Sequence, residues 1–251
     1  MFSIAFRQQV SSCVLEWAKS DERIVAGAVV GSLAHGPGDR WSDLDLTFAV
    51  AEEVKIGDVL EDWTERLVVE FDAIRLFDLP TGSSIYRVLL LPGCLQFDLS
   101  FSPASDFGAI GPKFKLLFGN AAQKPNVPPP ALRDLFGYAA HHVLRARLCI
   151  ERDRPCQAEY WLSAARDYGL SLACVRRGLS AHHGRGFDDL PSDLRGLLYE
   201  ALVKSLDRQA LLTALGQTIE LLLQESAEIQ AVSPRIRSEL RGLAVDPILS
   251  I

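Results

Sequence analysis

The stretch Val30-Gly31-Ser32-Leu33-Ala34-His35-Gly36, followed after a short spacer by Ser42-Asp43-Leu44-Asp45-Leu46, decides how the rest of the chain is read. Ahead of it stands an apolar run, Ile24-Val25-Ala26-Gly27-Ala28-Val29-Val30, short and rich in β-branched residues, which reads as a buried strand. Glycine at its end permits a sharp turn and a close approach of backbone to ligand. Ser32 offers a hydroxyl and, at a helix start, N–H groups that favour phosphate oxygens. Leu44 to Val50 reads as a second strand. Asp43 and Asp45 then share one face, roughly 6.6 Å apart along the chain, while Leu44 and Leu46 point into the core. Two carboxylates on one rigid strand suit Mg²⁺, and two such ions about 3.5–4 Å apart would stabilise the attacking and leaving oxygens of an in-line displacement.

Outward from this stretch, a helix is expected over Ile4 to Lys19 and another over Ile56 to Leu67. Further strands are expected over Val68 to Phe77, Ser84 to Leu91 and Leu95 to Phe101, the last two forming a hairpin about Pro92-Gly93. Residues 121–130 hold four prolines in ten positions and read as a linker, since such a run can be neither helix nor central strand. Beyond it the pattern turns helical: Ala131 to Glu151, Gln157 to Arg177, Asp193 to Lys204, Asp207 to Gln230, and a short helix after Pro234. The expectation is an α+β chain: a mixed-sheet domain over 1–120, the linker 121–130, and an all-α helical bundle domain over 131–251.

Composition narrows the class. An apolar fraction of 48% with 23% charged residues is that of a globular protein. A net charge of −6 argues against a non-specific nucleic-acid binder, which needs a basic footprint. No stretch is apolar for long enough to span a membrane, and the N-terminal residues lack the apolar core of a signal peptide. The five cysteines are scattered without a Cys-x-x-Cys pair, so they read as reduced thiols in a cytoplasmic protein and not as a zinc site.

The order strand, Gly31-Ser32, a spacer of about ten residues, then Asp43-Leu44-Asp45 resembles the signature of the DNA polymerase β-like nucleotidyltransferase superfamily. The likeness implies a nucleotidyltransferase-fold sheet domain, two Mg²⁺ ions and a nucleoside triphosphate, ATP first, as co-substrate. It implies that Asp43 and Asp45 are catalytic metal ligands, and that Gly31, Ser32 and Ser42 cradle phosphates, with His35 and Arg40 as further phosphate contacts. A third carboxylate from a later strand is implied too. Asp98, in Leu95-Gln96-Phe97-Asp98-Leu99, is the first candidate, as metal ligand and proton acceptor, and Asp72 is its competitor. Lys113 and Lys115 read as the charged side of an ordinary segment, with a triphosphate contact as the other reading.

A sheet domain followed by a helical half resembles the layout of antibiotic nucleotidyltransferases, which transfer a nucleoside monophosphate to a hydroxyl of an aminoglycoside or lincosamide. On that likeness the acceptor is a small hydroxylated molecule, with Glu159, Tyr160 and Arg166 as candidate contacts. The other readings are a toxin–antitoxin-type enzyme modifying a protein or RNA, and a non-catalytic nucleotide-binding protein. Arg177 and His182 have the spacing of the ribonuclease motif of HEPN helical domains, but Gly178 and Ser180 interrupt it.

Overall fold

The computed structural model describes residues 1–109, 111–125, 128–226 and 234–245. The chain divides into two compact units, Met1–Val127 and Pro128–Ile251. Two residues of the expected linker, 126 and 127, lie outside the described residues, as does the expected helix end at Gln230. The architecture is α+β.

The first unit runs α1 (Ile4–Ser20), β1 (Ile24–Val30), β2 (Leu44–Val50), α2 (Ile56–Phe71), β3 (Ile74–Thr81), β4 (Ser84–Leu91), β5 (Leu95–Pro103) and β6 (Phe114–Phe118). The six strands form one mixed sheet in the order β3-β4-β5-β2-β1-β6. β2 and β5 pair in parallel, and the other neighbours are antiparallel. A parallel pair needs a long crossover, which α2 and the β3–β4 hairpin supply.

Alternation along β2 fixes which face is dry. Leu44, Leu46 and Phe48 join Phe97, Leu99 and Phe101 of β5 in a core that includes Trp17 of α1 and Trp63 of α2. Trp63 lies 5.2 Å, ring centroid to centroid, from both Phe48 and Phe101. A one-residue slip of β2 would drive Asp43 and Asp45 into this core, so burying the leucines and presenting the carboxylates are one constraint.

The structure corrects the expected strands at two places. Val68 to Phe71 belongs to α2, because Val59, Leu60, Trp63, Leu67 and Phe71 form a buried helical stripe that outweighs the strand preference of Val68-Val69. Asp72 ends the helix at φ 53°, with its N–H bonded to the Val68 carbonyl at 3.1 Å. β6 was not expected at all: a five-residue strand at a sheet edge, bounded by Gly111-Pro112 and Gly119, leaves almost no periodicity to read.

The second unit is helical: α3 (Leu132–Glu151), α4 (Pro155–Arg176), α5 (Ser192–Glu200), α6 (Arg208–Glu225) and α7 (Pro234–Gly242). Its core gathers Val143, Leu162, Leu215 and Leu222 from α3, α4 and α6. Asp207 caps α6 by accepting from the Ala210 N–H at 2.9 Å. Glu225, 1% exposed, is clamped by Arg176 at 2.9 Å and Arg177 at 2.7 Å. Among the described residues no helix is long and apolar enough to cross a membrane.

Candidate active site

On the sheet face opposite α1 and α2, three carboxylates meet. One oxygen each from Asp43, Asp45 and Asp98 lies within 4.8 Å of the others, and all three side chains are half-buried. The parallel ladder brings Asp45 directly beside Asp98, while Asp43 stands one residue ahead of β2. Gln96 donates to both Asp98 oxygens, at 3.0 and 3.1 Å. Burial pushes the Asp98 carboxyl above the usual carboxylate range; the negative charge of Asp43 adds to this and the Gln96 bond opposes it. Three carboxylates so close repel one another, and an all-oxygen donor set of high negative charge fits a hard divalent cation.

Gly31 presses its backbone against this cluster. Its φ is +70°, and a Cβ built there would stand 2.2 Å from Asp45 Oδ2, so only glycine fits. Its N–H donates to the Lys113 carbonyl at 3.1 Å, tying the turn to the start of β6. Ser32 follows, exposed, in a single 3₁₀ turn over Gly31–Leu33 where a helix start was expected. Three residues supply a few free N–H groups but little of a helix dipole.

The segment before Asp43 is held by a residue that sequence reading missed. Arg7 of α1, 3% exposed, donates through Nη1 to the Asp39 carbonyl at 2.9 Å and to the Ser42 carbonyl, and through Nη2 to the Pro37 carbonyl at 3.2 Å. Its signal lay in α1 spacing: Arg7, Val10, Val14 and Trp17 are all buried, so a cation occupies the helix's apolar stripe. Within the loop, the Ser42 hydroxyl donates to Asp39 Oδ1 at 3.1 Å and accepts from the Asp39 N–H at 3.0 Å. The Trp41 N–H and then the Ser42 hydroxyl hold the Asp39 carboxyl below its ordinary value.

The remaining candidates fall in different places. His35 Nε2 sits 2.7 Å from the Pro112 carbonyl, and Arg40 is exposed, its guanidinium 4.4 Å above the Trp41 ring. Asp72 caps α2 and is not in the carboxylate cluster. In the helical unit, Glu159 and Arg166 share the Ser163 hydroxyl, at 2.6 and 3.2 Å, and Tyr160 is 63% exposed. Arg177 is engaged by Glu225, while His182 and His183 sit in a short turn.

One position further along the same sheet face, Thr47 and Ser100 are register partners, beside Asp45 and Asp98. Together with Tyr86, Lys113 and Phe114 they line a cavity of about 160 Å³. Hydroxyls, two aromatic rings and one lysine therefore flank the carboxylates. Thr47 and Ser100 carried no signal in the sequence beyond strand alternation.

No protein-family model matches this chain, and no curated protein matches it. Among solved structures, an aminoglycoside 6-adenyltransferase from Bacillus subtilis aligns over 98% of this chain and 100% of its own, with 15% identity and a TM-score of 0.43. At that score and identity the likeness assigns no residue a role.

Proposed function

We propose that this chain is a Mg²⁺-dependent nucleotidyltransferase that moves a nucleoside monophosphate from a triphosphate, ATP first, to a hydroxyl of a small acceptor. The observation that carries the reading is the meeting of Asp43, Asp45 and Asp98 within 4.8 Å against a glycine turn that no other residue could make. Asp43, Asp45 and Asp98 would hold the metal, which when bound supplies positive charge against the triphosphate oxygens.

The chain's own residues do the rest. With the Gly31 N–H already bonded to Lys113, the turn offers the Ser32 N–H and hydroxyl to phosphate oxygens, and Gly31 leaves no side chain in the way. The acceptor oxygen forms a bond to the α-phosphorus as the bond to pyrophosphate breaks, and Asp98 takes the acceptor's proton. Asp98, on a rigid strand within the cluster, is placed for that task. Thr47, Ser100 and Tyr86 offer hydroxyls to orient a polar substrate group one strand position away. An aminoglycoside-like compound is the first acceptor to try, because a net charge of −6 favours a cationic partner.

Incubation of the protein with Mg²⁺, labelled triphosphates and a panel of hydroxylated acceptors tests this. Labelled small-molecule product with equimolar pyrophosphate supports it. Label entering only protein or RNA of a cell extract would select a macromolecular acceptor, and no triphosphate binding in the presence of Mg²⁺ would refute nucleotidyl transfer.

A further inference from the structure

Asp45 and Asp98 are positioned by the sheet ladder, but Asp43 is not. The β2–β5 pairing starts at Leu44, and the β1–β2 pairing reaches only to Leu46, so Asp43 lies outside both. Its side chain nonetheless has to meet the other two carboxylates. Something else must set the backbone from which it departs.

Arg7 is the residue placed to do so. All three of its guanidinium hydrogen bonds go to carbonyls of the segment between Pro37 and Ser42. The Ser42 carbonyl shares a rigid peptide plane with the Asp43 N–H, so gripping that oxygen orients the start of Asp43 itself. Among the described residues no carboxylate pairs with Arg7, although it is 3% exposed. A buried guanidinium held mainly by backbone oxygens, with the Asp39 charge acting on it only at longer range, is a costly device for packing alone, and its planar fork of donors suits the gathering of several carbonyls at once. We propose that Arg7 is a positioning residue, which acts through the loop at 37–42 to hold Asp43 in metal-binding geometry. This rests on the nucleotidyltransferase reading for its purpose, though not for its geometry.

The test uses the full chain with Arg7→Met and Arg7→Lys, Mn²⁺ as the probe ion, and two readouts. Amide hydrogen exchange at residues 38–43 reports the loop directly, and Mn²⁺ affinity, by electron paramagnetic resonance, reports the carboxylates. In Arg7→Met the loop amides should exchange at least about tenfold faster while the β2 and β5 amides stay near parent rates. Mn²⁺ affinity should fall about 10- to 100-fold, the usual range for removing a group that orients a metal ligand. Arg7→Lys should recover part of both. A folded Arg7→Met protein with parent-like loop exchange and Mn²⁺ affinity overturns the proposal. Loss of sheet protection throughout in both variants overturns it also, by making Arg7 a determinant of the fold as a whole. If the parent binds no Mn²⁺, the nucleotidyltransferase reading fails, and loop exchange alone still decides what Arg7 does.

Discussion

Asp45 and Asp98 are direct register partners across the parallel pairing of β2 and β5. Two carboxylates from segments more than fifty residues apart are thus locked side by side by backbone hydrogen bonds. Nothing in local folding favours this, because like charges on neighbouring strands oppose pairing. The arrangement is stable because the reverse sides of the same strands, Leu44, Leu46, Phe97 and Leu99, are fully packed. Hydrophobic burial on one face holds electrostatic strain on the other.

Gly31→Ala tests how tightly that strain is shaped. A methyl group 2.2 Å from Asp45 Oδ2, on a residue at φ +70°, must displace the carboxylate or the turn. We expect a stability loss of about 1–3 kcal/mol in denaturant titration, from the left-handed backbone and the clash together. Metal affinity should fall as well, since either displacement disturbs the carboxylate cluster.

Asp98→Asn should stabilise the metal-free protein at neutral pH. Burial and the charge of Asp43 raise the Asp98 carboxyl above 3.8. A group raised in this way contributes stability that is fully present below its unfolded value and is lost as pH rises through the folded value. The variant should therefore melt higher than the parent near pH 7, and the gain should vanish below pH 3.8. Saturating Mg²⁺ should reverse the order, adding about 2.7 kcal/mol to the parent at a hundredfold excess over its Kd. Thermal melts with and without Mg²⁺ across pH read all of this, and identical curves for the two proteins would contradict it.

Acid stability of the first unit should rest in part on Asp21. Hydrogen bonds from Arg23, and then from Trp63 Nε1 at 2.9 Å, lower its carboxyl from 3.8 to about 2. A depressed carboxylate contributes stability present above its unfolded value and lost as pH falls through the folded one. Asp21→Asn should thus cost up to about 2 kcal/mol at neutral pH, with the difference closing between pH 3.8 and about 2. Urea midpoints measured across that window decide it.

Much of the site was legible in the sequence because its main parts sit on one alternating strand. Leu44, Leu46 and Phe48 announce a dry face, and Asp43 and Asp45 must then share the other. Asp98 was readable for the same reason, lying between Phe97 and Leu99. What pairing adds was not readable: that β5 lies beside β2 in a register placing Asp98 at Asp45, and that β6 closes the far edge. The strand expected from Val68 to Phe77 failed in its first part because β-branched residues there lie at the end of an amphipathic helix, where burial of Leu67 and Phe71 decides. Arg7 escaped notice because a lone arginine near a helix start looks like surface, and only its place in the stripe of Val10, Val14 and Trp17 marks it as interior.

Whether the carboxylate cluster transfers a nucleotide is decided by comparing parent and Asp43→Asn for labelled product formed from a triphosphate and Mg²⁺. The substitution removes one metal-binding charge, relieves its repulsion of Asp98 and leaves the β2 ladder intact, so without metal the melting temperature should be at or above that of the parent. Transfer should fall at least about 100-fold, as loss of a principal electrostatic contact to the reacting phosphate does. Asp43→Asn protein that forms product at the parent's rate would contradict the account.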